Sequence, residues 1–420
     1  MPSVNLSFKV HIPYRLGKIN TNDVVHGKYF DSEANKKVVD TFSDECFLPA
    51  NQILLSQIKA HKGKFRIAFS ISGTAIELLQ EYRPDVIQSF KQLSKTGCVE
   101  FYAETYYNSL SWLYSKNEFK RQVKKHHELV KDLFGIEPTV FRNTELIYIN
   151  ELAKFISDLG YRGILCEGLE SILNGRTPNQ TYAAPSSNGF QDDFGLLLRN
   201  VRLSDDIAFR FDDPNWNERP LTAEKYAGWL HDQKDNICNV SLFFDYETFG
   251  FHKKATTGIF EFLEYLPVYL LADENWQFTT PSEALDNCYP KDIYNVPQTI
   301  SFEDKKKESC VSCENMMQNN TLKKIFSIEK MVHQSNIPGA LECWGRLQSA
   351  DHFYYMCNDG RDENDSYRLL NPFGTEEEAY ENYKNAVMDF EINLIQKGLA
   401  DIKNKSSVRR LHKAFSTMIY

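Results

Sequence analysis

From the amino terminus to about residue 285, short apolar runs with strand character alternate with longer stretches of helical periodicity. The strand-like runs cover residues 6–12, 65–72, 99–103, 139–142, 163–166 and 240–244. Between them, residues 117–134 place Phe119, Val123 and Val130 on one helical face, and residues 150–159 predict a second helix closed by Gly160. Parallel neighbours need a crossover, so this alternation predicts an α/β domain with a parallel sheet, most economically a barrel. The run 240–244 is apolar throughout, as in a strand buried on both faces. It ends at Asp245-Tyr246-Glu247, whose carboxylates fall on one side of an extended chain. In a parallel barrel the carboxyl ends of the strands are where catalytic groups gather.

Polar residues recur at the other strand ends: His11, Ser72, Glu100 with Glu104, Glu145 and Glu167. On one rim they would line a polar pocket. Residues 174–222 are rich in Asn, Pro, Gly and Asp, with turns at Ser187-Asn188-Gly189 and Asp212-Asp213-Pro214-Asn215, and predict a long irregular excursion over the mouth. Residues 286–320 are polar and lysine-bearing, the character of a connector, and 322–336 and 376–397 are strongly helical. The expected organisation is a barrel domain over 1–285, a connector over 286–320 and a helical domain over 321–420.

Composition narrows the class. Hydrophobic residues at 42% and charged residues at 25% belong to a soluble globular chain. The 22 Tyr and 29 Phe offer platforms for sugar rings, although they also fill cores. A net charge of −9 argues against nucleic acid or an anionic membrane as partner. The amino terminus lacks a basic segment followed by an apolar one, and no stretch is long and apolar enough to span a bilayer. Nine cysteines, an odd number placed mainly in apolar segments, fit reduced thiols and a cytoplasmic location. Cys310 and Cys313 have the spacing of half a zinc site with no second pair to complete it. His126-His127 falls within a helix, which argues against the Asp/His metal cluster of a deacetylase.

Taken singly, several of these groups have structural readings. His11 could be a core histidine, and Glu100 and Glu104 could pair with Lys120-Arg121. Asp351-His352 could cap a helix, and Tyr354-Tyr355 could be core aromatics.

Two longer segments bear on the choice. VFRNTELIYINELAKFISDLGYRGILCEG, around Glu145, and FFDYETFGFH, around Asp245, resemble glycoside hydrolase family 57, the retaining α-glucan-active enzymes. VHIPYRL, GCVEFYAETYYNSL and LQSADHFYYM extend the resemblance in order along almost the whole chain. It implies an incomplete seven-stranded parallel (β/α) barrel with a C-terminal helical domain that contributes to the active site. It also implies Glu145 as nucleophile and Asp245 as general acid/base. His11, Glu100, Glu247, His252, Trp344 and Asp351 would bind substrate. The activity implied is α-amylase-type cleavage of α-1,4-glucosidic bonds in an α-glucan or maltooligosaccharide, with neither metal nor cofactor. A 4-α-glucanotransferase or branching enzyme would use the same site, and a non-catalytic glucan-binding protein is the rival of another class. A retaining pair stands about 5–5.5 Å apart. Asp245 must begin protonated, so a raised carboxyl pKa is expected from its apolar flank and from the Glu145 and Glu247 charges. Two positions depart from the family pattern: Ile12 stands where the first motif has Gln, and Asn108 where the second tends to have His.

Overall fold

The computed structural model describes residues 1–19, 28–186, 189–233, 237–302, 315–357 and 370–416. The chain forms two compact units. One comprises Met1–Ile12, Glu33–Ser109 and Asn117–Val311, and the other Pro13–Ser32, Leu110–Lys116 and Ser312–Tyr420.

The first unit is built on nine strands: β1 Ser3–Val10, β2 Ile67–Ile71, β3 Val99–Phe101, β4 Val140–Arg142, β5 Gly163–Glu167, β6 Thr181–Ser186, β7 Gly189–Arg199, β8 Asn239–Asp245 and β9 Gln277–Phe278. Seven of them lie side by side in the order β3-β2-β1-β8-β7-β5-β4, all parallel. β6 pairs antiparallel with β7, and β9 adds to the start of β1. The circle is a nearly closed (β/α) barrel. β3 and β4 meet only through an isolated bridge, Ala103 with Phe141, and β7 meets β8 through the single pair Arg199–Ser241.

Strand alternation sorts the side chains of β1. Val4, Leu6, Phe8 and Val10 are buried, and Phe8 packs on Phe69, Phe244, Tyr246 and Phe249 at ring distances of 4.9–5.7 Å. The alternate residues Ser3, Asn5, Ser7 and Lys9 are also buried, and the Ser7 hydroxyl meets the Tyr102 hydroxyl at 3.1 Å. Tyr102 belongs to an inner core with Ala68, Val140, Leu165, Leu197 and Phe243. Ala284 and Leu285 enter the same core from the helix Pro281–Asn287, which starts with a capping box of Thr280 and Glu283.

Two buried arginines reinforce the weak joins. Arg199 of β7 donates to the Phe243 carbonyl of β8 at 2.7 Å, to Glu167 at 2.9 Å and to Asp205 at 2.6 Å. Arg142 of β4 donates to Glu104, just beyond β3, at 2.6 Å and to Ser70 of β2 at 3.1 Å.

Residues 174–222 are not one irregular excursion: β6 and β7 lie within them, and β7 is a full barrel strand. The run Phe194-Gly195-Leu196-Leu197-Leu198 carried that signal, hidden among Asn, Asp and Gly neighbours. Ser187 and Asn188 of the expected turn lie outside the described residues. The helices Lys116–Phe134 and Asn150–Asp158 form as the periodicity predicts, with Phe119, Val123 and Val130 buried and Gly160 at φ 93°. The chain after residue 286 first returns to the barrel, where Ile293 bridges Ala183, Asn150 bonds Val296, and Ile300 bridges Tyr148.

Among the described residues, a thiol pair departs from the reduced state expected. Cys238, before β8, is joined to Cys288, after the helix Pro281–Asn287, across a Cα separation of 5.7 Å. Cys46, Cys98 and Cys166 are free and buried. Cys310 and Cys313 lie outside the described residues.

The second unit contains the helices Met316–Ser327, Glu329–Gln334, Ala340–Leu347, Ala350–Tyr354 and Glu376–Ser416. The buried Tyr383 hydroxyl donates to the Leu347 carbonyl at 2.7 Å. Among the described residues no helix is long and apolar enough to cross a membrane.

A glycine pair makes room for the plug of the barrel. Gly163 and Gly195 are register partners, and a Cβ on Gly195 would stand 2.4 Å from Leu285 Cδ2. A Cβ on Gly163 would stand 2.5 Å from the Gly195 carbonyl oxygen. Each Gly→Ala change should cost about 1–3 kcal/mol by overpacking. Adding Leu285→Ala should recover part of the cost for Gly195→Ala. It should recover less for Gly163→Ala, where backbone cannot retreat. Chemical denaturation of the single and double variants measures the difference.

Candidate active site

β1 and β8 run in register, so Lys9 sits directly beside Asp245. The Lys9 ammonium lies 3.3 Å from Asp245 Oδ1 and 3.4 Å from Glu145 Oε1. The two contacted oxygens are therefore no further apart than the sum of those distances. That upper limit admits the retaining spacing of about 5–5.5 Å. Glu145 is almost enclosed, with its side chain 5% exposed, whereas that of Asp245 is 43% exposed.

Local structure aims each group. Glu145 follows β4 in the short helical turn Thr144–Leu146, and both Glu145 and Leu146 take left-handed backbone angles, φ 52° and 51°. Such angles cost a non-glycine residue about 1–3 kcal/mol, so the surroundings must hold the turn. Leu146 N–H donates to the Asn143 carbonyl and Ile147 N–H to the Thr144 carbonyl, both at 3.0 Å. The Thr144 hydroxyl meets that of Thr105 at 2.8 Å.

Asp245 and Glu247 flank Tyr246, which is fully buried. Its ring stacks on Phe47 at 5.8 Å, its hydroxyl donates to Asn51 at 2.7 Å, and its carbonyl accepts from the Cys46 thiol at 2.9 Å. Anchored to that side, Tyr246 turns its two acidic neighbours the other way.

The charges distribute unequally. Burial pushes the Asp245 carboxyl up, but the Lys9 ammonium, helped by His252 and Arg142, outweighs it and holds the group below its ordinary value. This reverses the raised value expected from the apolar flank, because Lys9 supplies the missing countercharge. Glu247 takes the opposite course. Burial and the neighbouring Asp245 charge push it up to about 8, against N–H donors that include the His11 backbone. One of its oxygens, Oε1, is buried without a hydrogen-bond partner. Of Asp245 and Glu247, it is Glu247 that its surroundings push toward the neutral form.

The remaining candidates fall in three places. His11 ends β1, and its Nδ1 meets the Ser72 hydroxyl at 2.7 Å. His252 donates its backbone N–H to the Glu247 carbonyl at 2.9 Å. Glu100 is not brought to this group. Its Oε2 accepts from Ser282 N–H at 2.9 Å and the Ser282 hydroxyl at 2.8 Å, at the start of the helix that follows β9. β9 pairs with the first residues of β1, so Glu100 faces the amino end of the barrel. Trp344 and Asp351 belong to the second unit. Trp344 is fully buried, with its indole N–H on the Ile325 carbonyl at 2.8 Å, and Asp351 accepts from the Ser349 hydroxyl at 2.7 Å.

His126 is fully buried in the helix Lys116–Phe134. Its Nδ1 accepts from Glu104 N–H at 3.3 Å and its Nε2 donates to the Ile71 carbonyl at 2.8 Å. Burial lowers its pKa, consistent with that neutral tautomer. Lys9 escaped the sequence reading, although a lysine at a polar position of a buried, alternating strand is a signal, because buried lysines require partners.

An incompletely closed parallel barrel with paired carboxylates at its carboxyl rim is the build of a sugar-cleaving enzyme. The chain belongs to Glycosyl hydrolase family 57, whose profile it matches over residues 5–297. It is 37% identical over 401 residues to a Methanocaldococcus jannaschii protein named "Putative alpha-amylase", covering 92% of this chain and 84% of that one. Its fold is similar to that of the 4-alpha-glucanotransferase from Thermococcus litoralis (TM-score 0.67, 15% identity), covering 92% of this chain and 59% of that one. It is also similar to the GH57-type branching enzyme from Pyrococcus horikoshii (TM-score 0.65, 13% identity), covering 93% and 88%.

The raised Glu247 carboxyl has a consequence for stability. Between its ordinary value of 4.5 and about 8, the folded protein keeps a proton that the unfolded chain has lost. Its contribution is fully present below about pH 4.5 and is lost as the pH rises through about 8. Glu247→Gln should remove this slope, which can reach at most about 1.4 kcal/mol per pH unit. Denaturant unfolding of parent and variant across that window tests it, and parallel stability curves would contradict the assignment.

Proposed function

We propose that the protein is a retaining glycoside hydrolase of the α-amylase type that cleaves α-1,4-glucosidic bonds in starch- or glycogen-like glucans. The observation that carries this reading is the single Lys9 ammonium in contact with both Glu145 and Asp245. A shared ammonium supports a pair that works together across one scissile bond, as retaining chemistry requires. Glu145 attacks the anomeric carbon and forms a glycosyl ester. Asp245 protonates the departing oxygen and then takes a proton from the incoming water. In the free protein Lys9 keeps Asp245 ionised. A sugar seated against its exposed face excludes water and raises that carboxyl toward the protonated form. His11, Glu247 and His252 complete the barrel side of the sugar site.

Asp351 is part of the same proposal as a substrate-binding group, on the resemblance of LQSADHFYYM. Trp344 lies in the core of its own unit, against Phe326 and His333. The name of the Methanocaldococcus jannaschii relative supports hydrolysis. The names of the two fold relatives keep transfer to a sugar hydroxyl as the second reading of the same covalent intermediate. The proposal places the protein in the cytoplasm. Disulfides are rare in reducing compartments outside hyperthermophilic prokaryotes, so titration of Cys238 and Cys288 in freshly isolated protein checks this.

Incubation with maltooligosaccharides separates the reactions: shorter products alone mean hydrolysis, and longer ones as well mean transfer. Asp245→Asn should lower turnover of unactivated glucans by about 10²–10⁴-fold while glucan binding persists. A glucosyl fluoride, which needs no protonation to leave, should still label Glu145 in that variant, as read by mass spectrometry. Unchanged turnover with no label on Glu145 would refute the assignment, and binding without turnover by the parent protein would make it a glucan-binding protein. Asp351→Asn should reduce kcat/KM on glucans by about tenfold or more, the worth of a charged hydrogen bond.

A further inference from the structure

We propose that Lys9 is a positioning residue for the carboxylate pair, drawing one oxygen of Glu145 and one of Asp245 onto a single ammonium and so setting the gap across which the anomeric carbon is attacked. The inference rests on the glycosidase reading above and goes beyond it, since neither bond making nor proton transfer requires a lysine here.

The geometry gives Lys9 a fixed base. Its backbone is laddered on both sides, to Ser70 of β2 and to Asp245 of β8. Its side chain is 11% exposed, so the ammonium lies in a setting where charge is weakly screened. The two carboxylates it joins arrive differently. Asp245 closes a strand, whereas Glu145 stands on a strained turn with left-handed backbone. Two carboxylates this close repel each other. Coulomb energy falls with distance, and the ammonium at 3.3 and 3.4 Å is nearer to each than they are to one another at the retaining spacing. Attraction through Lys9 therefore exceeds the repulsion it offsets. When Glu145 becomes the ester oxygen of the glycosyl-enzyme its charge is spent, and the ammonium is left to stabilise Asp245 as the base of the second step.

Lys9 does not act alone on the protonation of Asp245. Arg142 from β4, Glu145 from the turn beyond it, and Glu247 and His252 from the segment after β8 also bear on Asp245, and His11, just after β1, and Cys46 face Glu247 in turn. Lys9 is in contact with Asp245 and is the first among the groups that lower its carboxyl. Removing it should free Asp245 to protonate at higher pH.

The test uses the full chain with Lys9→Met, which keeps length without charge, and Lys9→Arg, which keeps charge. With a glucosyl fluoride, a Glu145 oxygen bonds the anomeric carbon as fluoride departs with the bonding pair, so no acid is needed and the labelling rate reports the attack alone. Lys9→Met should slow labelling by about tenfold to a hundredfold, the usual consequence of a misplaced group. It should also move the basic limb of the kcat/KM pH profile on maltooligosaccharides upward by about one unit or more. Lys9→Arg should restore the basic limb to near its parent position. Parent labelling rate and an unmoved limb in Lys9→Met would overturn the proposal and leave Lys9 a structural ion pair. Should Lys9→Met not fold, Lys9→Gln gives the same two readouts, and the same outcomes support or overturn the proposal. A parent protein that releases no fluoride from the glucosyl fluoride, with an Asp245→Asn variant that never labels at Glu145, would overturn the glycosidase reading itself, and this proposal with it.

Discussion

The barrel encloses charged groups where water cannot compensate them, and the matching of those charges holds its wall together. Its two weakest joins, β3 to β4 and β7 to β8, have almost no ladder of their own. Each is crossed by a buried arginine, Arg142 toward Glu104 and Arg199 toward the Phe243 carbonyl. A guanidinium suits this work because its planar fork serves several acceptors at once. Arg199 holds an acid from β5, an acid from the helix Val201–Ala208 and a carbonyl of β8 together. Removing one partner from such a group leaves an uncompensated buried charge, at about 3–5 kcal/mol. The carboxylates at these strand ends are therefore structural where they meet arginine and available for chemistry where they meet lysine and solvent.

The same balance divides labour among the acids of the rim. Glu104 and Glu167 are consumed by arginines, while Glu100, at the opposite end of the barrel, is held by the amino end of a helix. Asp245 keeps an open face and a lysine partner, Glu145 a lysine partner in near enclosure, and Glu247 a buried place that favours its neutral form. Two carboxyl groups, those of Asp245 and Glu247, are thus pushed in opposite directions two residues apart. Tyr246, between them, is fixed by its stack on Phe47 and its hydrogen bond to Asn51, which anchors the turn that carries both acids.

Much of this was legible in the chain itself. Six barrel strands announce themselves as apolar runs, and the helices Lys116–Phe134 and Asn150–Asp158 by periodicity, because burial on one face or both is written directly into residue order. Glu145 and Asp245 stand out by lying just beyond such runs in segments that resemble a family. β7 was hidden because its apolar core is short and flanked by turn-forming residues, and only its pairing with β5 and β8 makes it a barrel strand.

What the sequence could not supply are the relations that depend on register and closure. Which acid meets Lys9, which meets arginine and which caps a helix follows from how distant strands align, and one residue of slip would exchange them. The joining of Cys238 to Cys288 and the accommodation of Leu285 by Gly163 and Gly195 are of the same kind. So is the lowered carboxyl of Asp245, which its own apolar neighbours would have raised. Residue order determined where strands begin and end and which acids lie at their ends. The assembled barrel decided which charges face one another, and since electrostatic energy depends on distance in space rather than along the chain, only that assembly could set the direction in which each carboxyl is pushed.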